Sequence, residues 1–286
     1  MKRLFAALSL LVMPAGAAFA QSAVNTAVRE SAVAAPLVEF EMMTWQEVKA
    51  AQAAGKTTAL IYTGGTEQRG PQNVNGGHTL MGKATVKAIA EKLGDAIFLP
   101  VLPYTPNNAS ATLPGTIGLT NEILAVILER ISDEALKSGF KNVVIMGDHG
   151  GGQPLVYAAT AKKVDSAWAA KGGHVYYCDD VYIKQSADFD KWLADNGYPV
   201  SSHAGIPDTS EMMYLTDGTW VRMDKVKDAL GDPMVPRGAA RDPNAVRVNN
   251  GITGDARRST AELGKKVLDM KVEYAVKQIR TFIPAK

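Results

Sequence analysis

The sequence predicts an α/β protein, a three-layer α/β/α sandwich built on a mainly parallel central sheet. Short apolar runs rich in β-branched and aromatic residues alternate with longer segments whose apolar residues recur every three or four positions, the pattern of strands joined by covering helices. The composition agrees. With 46% hydrophobic and 21% charged residues, 26 Gly and 14 Pro among 286, the chain is an ordinary globular one, which excludes disordered, collagen-like and disulfide-scaffold proteins.

In chain order, Met1-Lys2-Arg3 precedes an apolar stretch at 4–13 and then small residues ending Ala18-Phe19-Ala20. A basic head, an apolar run too short to span a bilayer and an Ala-x-Ala site read as a secretory signal peptide over 1–20, cleaved after Ala20, with a periplasmic or secreted product. Residues 21–37 are rich in Ala, Ser and Val without a sustained period and read as a flexible lead-in. Strands are expected at 58–62, 96–102, 142–146 and 175–178. Helices are expected at 79–93, at 121–137 ending before Gly139, at 154–170 and at 259–279. No repeat, low-complexity tract or linker divides the rest, so 38–286 reads as one domain, with 179–254 an excursion of loops and short helices. His174 and Cys178, at the ends of the last strand, read as core, and a lone cysteine has no internal disulfide partner.

The formal net charge is +2. Lys2 and Arg3 account for it: without residues 1–20 the chain carries 29 residues of each sign. Its Lys and Arg are scattered, so neither nucleic acid nor a membrane is the expected partner.

In parallel sheets the working residues lie on loops beyond the carboxyl ends of strands. Two such segments are rich in metal-ligand chemistry, Gly64-Gly65-Thr66-Glu67-Gln68-Arg69-Gly70-Pro71 with Gly76-Gly77-His78-Thr79, then Gly147-Asp148-His149-Gly150-Gly151-Gly152, and a third cluster, His203-Ala204-Gly205-Ile206-Pro207-Asp208-Thr209-Ser210-Glu211, lies in the excursion. Three of the four histidines fall here, among glycines that let backbone approach a ligand closely. The Gly150-Gly151-Gly152 run lacks the Lys and Ser or Thr of a phosphate-binding loop.

These segments resemble the creatininase family of metal-dependent amidohydrolases. Residues 66–71 and 76–79 match its T-E-Q-H-G-P and G-T-D-T. Leu113-Pro114-Gly115-Thr116-Ile117-Gly118-Leu119 matches F-P-G-T-I-S-L, residues 147–152 match N-G-H-G-G-N, His203 to Ser210 match H-A-G-x-x-E-T-S, and Gly251-Ile252-Thr253-Gly254-Asp255 matches G-V-x-G-D. The resemblance implies an α/β/α sandwich, a hydrolase of non-peptide amide bonds, often cyclic, and a homo-oligomer. It implies metal ligation by Glu67 and His149, puts Asp208 at a glutamate position in or beside the metal shell, and makes His203 a proton-exchanging residue. His78 replaces a metal-bridging aspartate, and Arg69 replaces a histidine that ligates a second ion.

Two neighbouring cations need a bridging anion, which a neutral imidazole cannot supply, and a guanidinium has no lone pair to donate. The expectation is therefore one divalent metal, held by Glu67, His78 and His149, with Asp208 as a further candidate. Zinc suits this set, and manganese or iron would accept it. A bound water would attack a small cyclic amide, imide or lactone, with His203 carrying the proton. Arg69 either holds a substrate carboxylate or oxyanion or closes a salt bridge. Asp208 either reaches the metal or caps a helix, with Glu211 one turn further as its reserve. Asp148 either orients an imidazole or occupies a surface turn. Residues 104–112 lack an acidic residue and a histidine that relatives carry before the P-G-T segment, which speaks against creatinine itself as substrate. Two other functions fit the same residues: an inactive small-molecule binder on this scaffold, and a peptidase- or deformylase-type amidohydrolase.

Overall fold

The computed structural model describes residues 37–107, 113–234 and 242–285. The expected signal peptide and almost all of the lead-in lie outside these residues. Four strands form one sheet: β1 (Thr58–Thr63), β2 (Ala96–Phe98), β3 (Asn142–Gly147) and β4 (His174–Tyr177). Their order is β2-β1-β3-β4 and every pairing is parallel. Helix α1 (Trp45–Ala53) precedes the sheet. Between strands run α2 (Gly77–Leu93), α3 (Asn121–Lys137) and α4 (Gln153–Trp168), and after β4 come α5 (Ile183–Asp195), α6 (Ile206–Thr216) and α7 (Ala261–Phe282).

Strand periodicity decides which helix covers which face. Leu60, Tyr62, Phe98, Val144 and Met146 point to one side and pack on Val86 and Ile89 of α2 and Val272, Ala275 and Ile279 of α7. Ala59, Ile61, Ile97, Val143 and Ile145 point to the other, against Leu124 and Leu128 of α3 and Tyr157, Ala161 and Val164 of α4. The chain steps from β1 to β2 in one direction and from β2 across to β3 in the other. Right-handed crossovers therefore put α2 on one face and α3 and α4 on the opposite one. The reversal leaves a crevice at the carboxyl ends of β1 and β3, where ligands bind in open α/β sheets.

Four local details differ from the sequence expectation. The second strand ends at Phe98 instead of 102, because Pro100 has no N–H for the ladder; Leu102 rejoins only through an isolated bridge to Thr63. Helix α1 was not expected, since it buries no residue, although Thr44 and Glu47 form a capping box at its start. His174 is not core: it opens an edge strand, its side chain is 42% exposed, and its Nδ1 lies 3.1 Å from Asp165. The excursion holds two full helices, α5 and α6, and α6 packs against α7 so closely that a Cβ on Gly264 would fall 1.9 Å from the Ser210 carbonyl oxygen. Cys178 is fully buried.

Candidate metal centre

Glu67 lies on the loop after β1 and His149 on the loop after β3, at the two sides of the crevice. The first loop is folded down onto the start of α2: a Cβ on Gly64 would sit 2.5 Å from Thr79 Cα, and one on Gly65 would sit 3.1 Å from His149 Nε2. Only glycine allows this approach, and it brings His78, on the first turn of α2, beside His149, with ring centroids 4.3 Å apart.

The side chains converge on one atom. Glu67 Oε1 lies 3.0 Å from His78 Nε2, 3.2 Å from His149 Nε2, 3.4 Å from His203 Nδ1 and 3.3 Å from Arg69 Nη1. Glu67, His78 and His149 each offer a ligand atom within 4.8 Å of the others, and all three are buried. His149 Nε2 is buried without an aligned hydrogen bond. Nitrogen and oxygen donors packed about one point, one of them a buried imidazole nitrogen without an aligned hydrogen bond, fit a cation. The edges of a tetrahedral zinc site, about 3.3 Å for ligands at about 2.0–2.1 Å, match the 3.0 and 3.2 Å separations of Glu67 from His78 and His149.

Electrostatics agree with a cation-poised cluster. Burial alone would raise the Glu67 carboxyl, but the His149, His203 and His78 imidazoles packed against it and the charge of His78 outweigh it and hold the group far below the usual carboxylate range. Burial and the Arg69 charge pull His78 down, yet the Asp148 and Glu67 carboxylates win and raise it to about 9. Burial, reinforced by the charge of His78, lowers His149 despite Glu67 and Asp148.

His203 precedes Ala204, whose φ of 54° is left-handed and strained for alanine. The strain is held by hydrogen bonds to that residue's own backbone: its N–H donates to Asp208 Oδ2 at 2.8 Å, and its carbonyl accepts from Gln72 Nε2 at 2.9 Å and Thr209 Oγ1 at 3.1 Å. His203 Nε2 donates to the Gln68 carbonyl at 2.7 Å, which fixes the tautomer and leaves Nδ1 facing Glu67.

The remaining expected residues fall outside the three-ligand group. Asp208 Oδ2 lies 2.6 Å from Arg69 Nη2, on the first turn of α6. Arg69 has no exposed surface and its guanidinium lies on Glu67 and Asp208, so contact with a substrate would require it to leave both carboxylates. Asp148 is buried, not at the surface, with Oδ1 3.2 Å from His78 Nδ1. Glu211 faces Lys271 Nζ at 2.7 Å, and Lys271 is a buried residue the sequence reading missed. Its signal was there: Lys271 occupies the four-residue stripe Val267, Lys271, Ala275, Ile279 on the buried face of α7.

A parallel α/β sheet with a carboxylate among imidazoles at its switch point has the architecture of a metal-dependent hydrolase. Residues 41–279 match the profile of the family described as Creatininase: Creatinine amidohydrolase. The chain is 25% identical to the creatinine amidohydrolase of Pseudomonas putida over 259 residues, 85% of this chain and 96% of that protein. It is 22% identical to the mycofactocin precursor peptide peptidase of Mycolicibacterium smegmatis over 234 residues, 79% of this chain and 85% of that one. A solved creatinine amidohydrolase superposes with a TM-score of 0.72 at 22% identity, over 88% of this chain and 100% of the other. A manganese creatininase does so at 0.71 and 22%, over 87% and 100%, and a mutant creatininase of Zn-Zn type at 0.71 and 20%, over 88% and 100%. At these identities the structural likeness establishes the fold. The chain belongs to the creatininase family of metal-dependent amidohydrolases.

Proposed function

We propose that this protein hydrolyses a small cyclic amide, imide or lactone with one divalent metal per subunit, zinc by preference. The observation that carries the reading is the fully buried Arg69 guanidinium between Glu67 and Asp208, a fixed positive charge beside the three-residue ligand group. It offers no lone pair and repels a second ion, while Glu67, His78 and His149 supply the carboxylate and imidazoles that one ion needs.

Bound there, a divalent cation supplies Lewis acidity, polarising a substrate carbonyl and making water acidic enough to attack near neutral pH. Glu67, His78 and His149 hold it. His203, anchored through Nε2–H to the Gln68 carbonyl, presents Nδ1 to take the proton of the attacking water and return it to the leaving nitrogen or oxygen. Arg69 holds Glu67 and Asp208 in place, with guanidinium nitrogens 3.3 and 2.6 Å from their oxygens. The test is a panel of cyclic amides, imides, lactones and short peptides assayed with and without chelator. Hydrolysis of a cyclic substrate that chelation abolishes and zinc restores supports the reading, and hydrolysis indifferent to chelation contradicts it. The peptides belong in the panel because one relative is a peptide peptidase.

The same reading places the mature protein, cleaved after Ala20, in the periplasm or outside the cell as a homo-oligomer. The signal-like residues 1–20 support the first, and exposed apolar side chains at Ile123, Val126 and Leu155 support the second. N-terminal sequencing of the exported protein and light scattering test them.

A further inference from the structure

Three buried charged groups lie behind the ligand cluster. Lys271 Nζ, in the middle of α7, is 2.7 Å from Glu211 Oε2 and 3.2 Å from Asp148 Oδ2, and all three side chains are at most 6% exposed. The other oxygen of each carboxylate continues the chain of contacts. Asp148 Oδ1 faces His78 Nδ1 at 3.2 Å, and Glu211 Oε1 accepts from Thr85 Oγ1 at 3.3 Å. Thr85 lies on α2, the helix that carries His78, so the contacts close a ring through the end of β3, α7, α6 and α2.

Stability alone is a poor reason for such a group. Buried ions lose several kcal/mol of hydration each, and apolar residues of similar volume commonly do as well or better. What an apolar filling cannot do is hold an anion against His78. The imidazole has two nitrogens: Nδ1 lies 3.2 Å from Asp148 Oδ1 without an aligned hydrogen bond, and a small turn of the ring that put a hydrogen between them would leave the Nε2 lone pair on the side of Glu67, 3.0 Å away. The two positions in contact, 78 and 148, are also two at which this chain departs from the family motifs quoted above, which have aspartate and glycine there.

We infer that Lys271 and Glu211 are positioning residues: together they anchor Asp148, which fixes the ring and tautomer of His78 as a metal ligand. This rests on the metal reading above. Asp148 without its ammonium partner would be free to turn from the ring, and His78 would lose the anion that selects its ligating nitrogen.

The probe is zinc, measured by competition with a fluorescent chelator on the whole protein, with far-UV circular dichroism to check folding. The variants are Asp148→Asn, which keeps the shape, and the double change Lys271→Met with Glu211→Leu, which removes the ion pair as a unit. Both should lose zinc affinity by tenfold or more while keeping the wild-type spectrum, as outer-shell partners of a metal-bound histidine do. Affinity within twofold of wild type in either folded variant overturns the anchor and leaves the metal reading intact. No zinc binding by wild type overturns both. One measurement needs no variant: nitrogen-15 histidine spectra of the zinc-loaded wild type should show His78 with its proton on Nδ1 and none on Nε2, and the reverse overturns the inference.

Discussion

Replacing Arg69 by methionine retains much of the side chain's length and apolar stem and removes the cation held 3.3 Å from Glu67 and 2.6 Å from Asp208. Taking away one partner of a buried ion pair costs about 3–5 kcal/mol, because the carboxylates left behind stay desolvated and lose their fixed counter-charge. For a domain of this size about 1 kcal/mol moves the melting temperature by roughly 2–4 °C, so Arg69→Met should melt about 6–20 °C lower than wild type in excess chelator. Calorimetry in chelator and then in zinc reads the rest. With the guanidinium gone, Glu67 and Asp208 are open to a second cation, and zinc at about 100 times its dissociation constant restores about 2.7 kcal/mol. Zinc should therefore raise the melting temperature of the variant more than that of wild type. A variant that melts within about 2 °C of wild type in chelator would contradict this, since Arg69 would then not be compensating the buried Glu67 and the partly buried Asp208.

His149→Ala should lose zinc and hydrolysis together, measured by metal analysis and turnover on one sample; a protein that only binds small molecules would keep its ligand. His78 sits at about 9 in the metal-free protein, so it must shed a proton to ligate. Apparent zinc affinity should rise about tenfold per pH unit from about 6.5 to 8.5, and a flat profile by chelator competition contradicts this. The same raised value means that, in chelator, His78 stabilises the fold below its unfolded value of 6.5 and loses that contribution as pH rises through about 9. Burial pushes Asp190 on α5 up to about 6, above its unfolded value of 3.8, so its ionisation opposes folding at neutral pH. Asp190→Asn should gain on the order of 1 kcal/mol at pH 7, allowing for the solvent that reaches this half-buried group, and the gain should vanish toward pH 4 in denaturant titrations.

The layered fold and the ligand cluster were legible in the sequence for the same reason. Parallel strands buried on both faces read as continuous apolar runs, and an α/β sheet places its chemistry on the loops just beyond them, so Glu67 and His149 stood out among glycines at strand ends. His78 was harder to read, because a polar residue at a helix start serves equally as a cap. What the sequence withheld was partnership. Nothing local to Arg69 says that Asp208, far along the chain, neutralises it, and either carboxylate could have faced a metal or a helix N-terminus. Lys271 was missed because a lysine ten residues into a helix reads as surface unless its place in the apolar stripe is weighed. Its partner Glu211 passed for a spare ligand. His174 was misread because an alternating apolar run does not reveal that its strand lies at the sheet edge.

The central claim is that Arg69 stands in for one of two cations, so the most direct measurement is the metal content of the purified protein. The sample should be prepared without chelator, loaded with excess zinc and freed of unbound ion. One equivalent per chain, lost on His149→Ala and raised above one on Arg69→Met, is the result this account predicts. Two equivalents per wild-type chain would contradict it.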